Sequence, residues 1–308
     1  MANGKCYVVL LCLSLCSTVI FAQELEPRSY SVIPKGFNVG VIGYTLSHGN
    51  VIADATSPID ELVLTSSILV VGYARTFGFF NKLGRIQMLL PYTFINGTAT
   101  VQGVDTSASR SGFADARVKI GINLLGSPAM NVRDFQRFNE ETVLGASIVF
   151  SIPTGQYWPE KLINIGTNRW GFKPEIGFSR RRGSFYFETY AGVWFFTRNP
   201  DFLKTATLDQ DPIFSFQAHI SHIFPKKSWI ALNGGYADGG QTFVNGIGKN
   251  NFQKNWRLGA TYSYAVNRQS SIKALLNTGI ATRAGGDFTS FSVVYQYAWF
   301  KKPGVRSQ

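Results

Sequence analysis

Apolar and polar residues alternate along much of this chain with a period of two. Residues 114–124 show the pattern clearly. Asp115, Arg117 and Lys119 share one face, while alanine, valine, isoleucine and leucine share the other. A β-strand sends successive side chains to opposite faces of its sheet, so this pattern predicts a strand that is apolar on one side. The same alternation recurs in 169–179, 255–266 and 272–283.

Followed through the whole sequence, the alternation predicts twelve strands. An even number lets a single-chain bacterial barrel close with both termini on one side of the membrane. The fold class is therefore all-β, a twelve-stranded antiparallel transmembrane β-barrel over residues 36–300. The predicted strands are 36–46, 63–79, 84–96, 113–125, 142–152, 168–180, 184–196, 211–224, 228–237, 253–266, 270–281 and 288–300.

The lengths of the connections test this prediction independently. Bacterial barrels have short periplasmic turns and longer external loops. With a periplasmic N-terminus, every connection but one obeys that rule. The short links are 80–83, 181–183, 225–227 and 267–269, and the long ones are 47–62, 97–112, 153–167, 197–210, 238–252 and 282–287.

The exception is 126–141, a long connection on the periplasmic side. Val132, Phe135 and Phe138 recur there at helical spacing, which predicts a short amphipathic helix acting as a structural cap. On the external side, two loops rich in threonine, serine and aspartate are candidates for folding inward and restricting the pore. They are 97–112 and 197–210.

A soluble β-sandwich or β-propeller would show similar alternation. No blade motif repeats at fixed spacing, which weakens the propeller. The apolar faces carry aromatic residues near strand ends, and the opposite faces carry isolated charges among glycine and serine. Such a distribution is typical of a barrel with a lipid-facing wall and an aqueous interior. The aromatic residues are Trp170, Phe178, Trp256, Tyr262 and Tyr264.

The first residues have the layout of a signal peptide. Lys5 precedes an apolar stretch at 7–21, and Ala22 is followed by polar sequence, so cleavage is expected near Ala22. The stretch is shorter than the roughly 20 residues of a spanning helix, which disfavours a membrane anchor. The expected organisation is a signal peptide at 1–22, a short periplasmic segment at 23–35, and a periplasmic C-terminal tail at 301–308.

Cysteine and charge narrow the expected partners. The three cysteines, Cys6, Cys12 and Cys16, all lie in the signal segment, which suits a chain that crosses an oxidising periplasm unfolded. The net charge of +12 suits anionic lipid or anionic solutes, and export excludes nucleic acid. The expected partners of this monomer are outer-membrane lipid and lipopolysaccharide, the outer-membrane assembly machinery and a small-molecule solute.

Several segments resemble those of a known family, the outer-membrane barrels labelled "MetA-pathway of phenol degradation" or transporter. This resemblance implies a twelve-stranded outer-membrane barrel and transport of hydrophobic or aromatic compounds. The group includes a porin that exports functional amyloid, but the short stretch at 23–35 departs from that porin's long periplasmic N-terminal region. The similar segments are 33–44, 112–128, 151–157, 163–180, 190–199, 257–273 and 282–299.

The sequence offers little for catalysis. His219 and His222 lie three apart on one predicted strand and so point to opposite faces, and His48 lies near the first external loop. Outside the signal segment there is no cysteine, and no histidine cluster supplies ligands for a transition metal. We therefore predict no enzyme activity, no catalytic residue, no metal and no cofactor.

Ten charged residues lie on the faces opposite the apolar ones. Facing lipid would cost each roughly 2–4 kcal/mol near the midplane, so they are predicted to line the pore. In one interpretation, the acidic members pair with basic neighbours across strands and brace a narrow lumen. In the other, the basic surplus makes an electropositive pore that favours anions. We favour bracing for most of the ten: Asp115, Arg117, Lys119, Arg169, Lys173, Glu175, Glu188, Arg257, Lys273 and Arg283.

The predicted function is an outer-membrane channel or transporter that moves small molecules by passive or gated diffusion. Hydrophobic, aromatic and anionic solutes are the candidates. A structural or adhesion barrel, with a closed lumen and external loops that bind a partner, is the alternative. Twelve strands enclose a lumen between that of filled eight-stranded barrels and that of open sixteen-stranded porins, so strand number alone leaves both hypotheses open.

Overall fold

The computed structural model describes residues 25–52, 59–101, 103–161, 164–225 and 228–300. The predicted signal peptide at 1–22 and tail at 301–308 lie outside the described residues. No helix within these ranges is long and apolar enough to cross a membrane.

The described residues form seventeen strands and one short helix, α1, at Val132–Phe135. The strands are β1 (Phe37–Ile52), β2 (Ile59–Phe79), β3 (Lys82–Val101), β4 (Val104–Phe113), β5 (Ala116–Leu125), β6 (Thr142–Ile152), β7 (Gly171–Arg182), β8 (Phe185–Phe196), β9 (Asn199–Phe202), β10 (Ala206–Gln210), β11 (Ile213–Ile223), β12 (Ser228–Gly239), β13 (Thr242–Val244), β14 (Ile247–Gly248), β15 (Gln253–Ala265), β16 (Ser270–Ala281) and β17 (Gly285–Phe300).

Antiparallel pairing closes the main sheet into a barrel. β1 pairs with β17 on one side and with β2 on the other, and β2 pairs with β3. β4 and β5 act as one barrel strand, because β3 pairs with β5 over Gly84–Leu89 and with β4 over Tyr92–Val101. The barrel therefore has twelve strands, and each coincides with one of the twelve predicted segments. The predicted fold class is confirmed.

The two faces of the barrel differ as the alternation predicted. Large apolar side chains project outward and stay exposed, among them Ile42, Leu232 and Leu276. Lumen-facing positions carry mostly polar, charged or small residues. Aromatic rings lie on the outer face near the ends of the strands. At the turn end, the hydroxyl of Tyr73 donates to Oδ1 of the outward-facing Asn38 at 2.7 Å. The wall thus offers an apolar band to lipid, flanked by aromatic residues.

The connections differ more from expectation. Residues 97–101 and 103–112 form a hairpin that continues β3 and β4 beyond the barrel, and residues 103–107 of it are exposed. The prediction that this loop folds inward is therefore wrong for its tip, where both faces meet water and no alternation marks a strand. At its base, Gly97 and Gly112 are buried, and Ala99 packs against a buried apolar cluster. By contrast, 197–210 forms β9 and β10, which join β13 and β14 in a separate four-stranded sheet at the loop end of the barrel.

The long connection at 126–141 closes the opposite, turn end. Helix α1 is a single turn, capped where the backbone N–H of Asp134 donates to Asn131 Oδ1 at 2.9 Å. Phe135 and Phe138 pack against a buried cluster that includes Tyr30, Val32 and Met130, whereas Val132 is exposed. A short helix was correctly predicted, but Val132 does not share its apolar face. The packing supports the expected role as a structural cap.

The lipid-facing wall can be tested by placing a charge in it. We expect Ile176→Lys, in the middle of β7, to lower the free energy of unfolding by about 2–4 kcal/mol, because lysine faces hydrocarbon there. Ile247→Lys in β14 is the control, since that exposed isoleucine lies in the loop-end sheet. Guanidinium unfolding in lipid vesicles measures both. Equal effects would contradict the assigned outer face.

Candidate functional site: a plugged lumen

The chain before β1 turns back into the barrel. We refer to residues 25–33 as the plug. Leu25, Tyr30 and Val32 are buried there, and the backbone N–H of Lys35 donates to the carbonyl of Met130 at 2.8 Å where the plug leaves the turn end. Residues 23–35 were predicted to form a short periplasmic segment. The structure adds that its described part reaches up among lumen-facing side chains.

Tyr30 anchors the plug in a notch in the wall. Gly145 of β6 and Gly177 of β7 lie directly opposite each other in the sheet. A Cβ atom at either position would lie 2.1 Å from the Tyr30 ring, so only glycine leaves room for it. At the tip of the ring, the hydroxyl donates to Glu175 Oε1 at 3.1 Å and lies 2.9 Å from Ser147 Oγ. The ring is therefore held by shape along its edge and by polar contacts at its end.

Glu175 is the centre of a charged cluster beside the ring. Its carboxylate lies 2.8 Å from Lys173 Nζ and 3.1 Å from Lys119 Nζ. Lys119 also donates to Ser29 Oγ of the plug at 2.8 Å, and lies 4.0 Å from Glu26. Buried charges are tolerated when they are paired and hydrogen-bonded. These three predicted pore residues therefore brace the wall and the plug together.

Arg85 of β3 is a plug contact that the sequence analysis missed. Its guanidinium donates to the carbonyls of Ser29 and Ser31, the second at 3.1 Å, and to Asn123 Oδ1 at 3.1 Å. Two of these hydrogen bonds hold the plug backbone in place, and the third fixes the guanidinium to Asn123 of β5. Arg85 alternates with the apolar Ile86, so the period-two pattern contained the signal needed to find it.

The Glu188 carboxylate binds the backbone of the plug and does not pair with a basic residue of the wall. It accepts from the backbone N–H of Arg28 at 2.9 Å and from the Tyr190 hydroxyl at 2.8 Å. The backbone N–H of Ser29 donates to that same hydroxyl at 3.1 Å. The Arg28 guanidinium lies 4.0 Å above the ring of Tyr186. Cross-strand pairing with lysine or arginine, expected for Glu188, is replaced by these plug contacts.

Four of the ten predicted residues lie at the loop end and tie loops down. Asp115 accepts from the backbone N–H groups of Gly155 at 2.9 Å and Thr167 at 3.0 Å. The other three are basic. Arg169 donates to Gln210 Oε1 at 2.5 Å, Arg257 to the carbonyl of Gly286 at 2.7 Å, and Arg283 to the carbonyl of Phe252 at 2.6 Å.

The last two predicted residues, Arg117 and Lys273, face the lumen. Arg117 lies opposite Leu89 and Ser151 in the sheet, and Lys273 Nζ lies 5.6 Å from the Trp229 ring. The ten residues thus divide between the mid-lumen and the loop end. Their role in lining a pore stays a prediction.

The histidines take structural positions. His219 Nδ1 lies 2.9 Å from Asn233 Oδ1 on the lumen side, while His222 contacts the rings of Phe185 and Phe224. They do not meet, as their spacing predicted. His48 lies within β1 rather than in a loop. Within the described part of the chain, no group of three histidine, cysteine or acidic side chains is placed to hold a metal ion.

The 126–141 connection also joins the wall through a carboxylate. Burial raises the pKa of Glu140 above the usual value for its type. The hydroxyl of Tyr186 donates to Glu140 Oε2 at 3.1 Å, which links this connection to β8 beside the plug.

A closed twelve-stranded barrel with an apolar outer band and a polar, plugged lumen defines the class of bacterial outer-membrane β-barrels. The family model described as "Putative MetA-pathway of phenol degradation" matches residues 61–297. The chain therefore belongs to that family, as the resemblance predicted. No curated protein matches the sequence significantly.

Solved structures share the fold. An outer-membrane channel from Pseudomonas putida F1 superposes with a TM-score of 0.77 at 18% identity, over 90% of this chain and 100% of that one. The transport unit of the autotransporter AIDA-I from Escherichia coli gives 0.54 at 8% identity, over 96% and 97%. The β domain of the Bordetella autotransporter BrkA gives 0.52 at 14%, over 85% and 99%. At these identities the likeness shows a shared fold.

The charged cluster predicts a sensitive position. We expect Glu175→Gln to lower the free energy of unfolding by about 3 kcal/mol, because it leaves the ammonium groups of Lys119 and Lys173 without their carboxylate. Glu160→Gln is the matched control, since Glu160 is exposed in a loop. Urea unfolding in micelles measures the difference. A loss no larger than that of the control would show that the cluster does not brace the wall.

Proposed function

We propose that this protein is an outer-membrane conduit for small molecules, gated by its own plug. The observation that carries the proposal is the kind of bonding that holds the plug. Arg85, Lys119 and Glu188 contact it through hydrogen bonds from side chains. A hydrogen bond to a charged group contributes about 1.5–3 kcal/mol net, and water can replace each partner. The plug can therefore leave while the wall keeps every strand pair.

Hydrophobic, aromatic and anionic solutes are the candidates. The family description names phenol degradation, which supports an aromatic solute. The similar Pseudomonas putida structure is called an outer-membrane channel, which supports a conduit. Lumen-facing Arg117 and Lys273 support anions, since a basic lumen lowers the barrier for negative charge.

A closed structural or adhesion barrel is the second candidate. The observation that favours it is the bracing of the loop end, where Asp115 and Arg169 fix the connections between β6 and β7 and between β8 and β11. In that case the exposed tip of the β3–β4 hairpin, at 103–107, would present the partner-binding surface. Conductance separates the two functions.

The proposed placement follows from the same barrel. Residues 1–22 direct export and are removed, the turn end and both termini face the periplasm, and the long loops face outward. The barrel works as a monomer in outer-membrane lipid and lipopolysaccharide after insertion by the outer-membrane assembly machinery.

The glycine notch provides a test that leaves the plug sequence intact. We expect Gly177→Val to raise single-channel conductance in planar bilayers, because the added side chain expels the Tyr30 ring. A loss of about 1.4 kcal/mol in plug binding would raise the open population about tenfold. Gly234→Val is the control, since its Cβ would meet only a carbonyl oxygen at 3.9 Å.

Tyr30→Ala provides a second route to the same state if valine in the wall impairs folding, which heat-modifiable gel mobility reports. Increased conductance in either variant supports the gate. If the variants fold with the plug displaced and still neither conduct nor pass solute from liposomes, the conduit function is contradicted. The closed barrel is then favoured.

A further inference from the structure

The lumen has two unlike halves. Across β7, β8, β11, β12 and β15 most lumen-facing side chains are buried, as at Trp194, Ser215 and Ser221. Each of these three is no more than 5% exposed. Side chains and the plug together fill this half, so it leaves little room for a solute.

The opposite half is partly open. On β1, β2 and β17, lumen-facing side chains such as Thr45, Ser47, Ser66, Ser290 and Ser292 all stay partly exposed. In the middle of this wall aliphatic residues show the same contrast, since Val70 and Val294 are partly exposed, whereas Val143 and Val149 on β6 are 0% and 3% exposed. At the loop end of the same wall, Val51, Leu62 and Leu64 are buried in a cluster with Ile165. The wall is therefore open in its middle and packed at its loop end.

The plug leans away from the open half. Its hydrogen bonds to the wall reach Arg85 on β3, Lys119 on β5, Ser147 on β6, Glu175 on β7, and Glu188 and Tyr190 on β8. The backbone N–H of Glu26 extends this set to Gln217 on β11, at 3.3 Å. These strands form one continuous arc of the barrel, and β17, β1 and β2 lie across from it.

On the open wall, strand register places hydroxyl and apolar side chains in separate rows across β17, β1 and β2. Ser66, Ser47 and Ser290 lie side by side in one row, and Ile68, Thr45 and Ser292 lie in the next. Hydroxyl pairs within these rows are 2.8 Å apart. Apolar rows follow on both sides: Leu64 and Phe288 with Gly49 on one, and Val70 and Val294 with Gly43 on the other.

The lumen-facing positions within 39–51, 62–76 and 286–298 carry no charged residue. A hydroxyl can rotate to donate or to accept, so such a row can exchange hydrogen bonds with a passing solute. The row of Val70, Gly43 and Val294 offers a hydrocarbon surface. Lys273 on the neighbouring β16 lies opposite Val294, but its ammonium group reaches towards the Trp229 ring, 5.6 Å away. A wall of this kind carries an uncharged molecule better than an anion, because its three strands offer an anion no compensating charge.

We propose that solute passes along the hydroxyl-lined wall of β17, β1 and β2 and not through the charged half of the lumen. The passage selects small uncharged molecules that combine an apolar body with a hydrogen-bonding group. This inference rests on the proposed conduit and specifies its path. The charged residues then hold the plug and brace the wall, and the serine and threonine side chains set selectivity.

Single cysteines test the path directly, since the sequence beyond residue 22 contains no cysteine. We expect Ser47→Cys and Ser290→Cys to react with a small water-soluble thiol reagent in folded barrels. Ser215→Cys and Ser221→Cys, serines on the filled half, are the matched controls and should react at least several-fold more slowly. Mass spectrometry measures the modification, and gel mobility confirms folding.

Flux through liposomes then links accessibility to transport. Attaching the reagent at position 47 or 290 should lower the passage of an uncharged aryl glycoside several-fold, and that glycoside should outpace an aryl sulfonate of similar size in the unmodified protein. Equal labelling of the controls, unchanged flux after labelling, or faster passage of the sulfonate would each overturn the path. A lack of any flux in the unmodified protein, with the plug also displaced, would instead contradict the conduit itself.

Discussion

Everything in this structure depends on the rule that a backbone in hydrocarbon must satisfy its own polar groups. The pairing of β1 with both β17 and β2 meets that rule, because it removes the two edges that an open sheet would leave in lipid. Closure also gives every strand two different surroundings, with lipid on its outer face and the lumen on its inner face. The outer face is therefore apolar, and polar chemistry is confined to the lumen, where Glu175 and its lysine partners can be paired away from lipid.

The interior is organised by what the closed wall encloses. On one side, Tyr30, Arg85 and Glu188 build a polar dock in which the chain's own N-terminal segment replaces water. On the other, small hydroxyl side chains leave space. A barrel of twelve strands is wide enough to hold both a folded-back segment and a passage, which an eight-stranded barrel filled by side chains is not. The plug thus divides the lumen lengthwise instead of capping it.

The strands of the wall could be predicted from the sequence because successive side chains face lipid and lumen in turn. The residue types therefore alternate along each strand. Prediction failed at the tip of the β3–β4 hairpin, because both faces of residues 103–107 meet water and the period carries no information there. The plug escaped prediction for another reason. Its contacts join residues far apart in the chain, as Tyr30 and Glu175 are, and no local pattern encodes which lumen side chain meets which plug residue. Arg85 could have been found, because it alternates with Ile86 like the other inward charges.

The glycine notch also has a consequence for assembly. Gly145 and Gly177 face the lumen together only when β6 and β7 pair in this register. A slip of one residue would turn a neighbouring side chain such as Ala146 or Ile176 inward and fill the space that the Tyr30 ring needs. The ring therefore fits a correctly paired wall and is rejected by a mispaired one. Tyr30 thus favours the correct register of two strands that lie more than a hundred residues further along the chain.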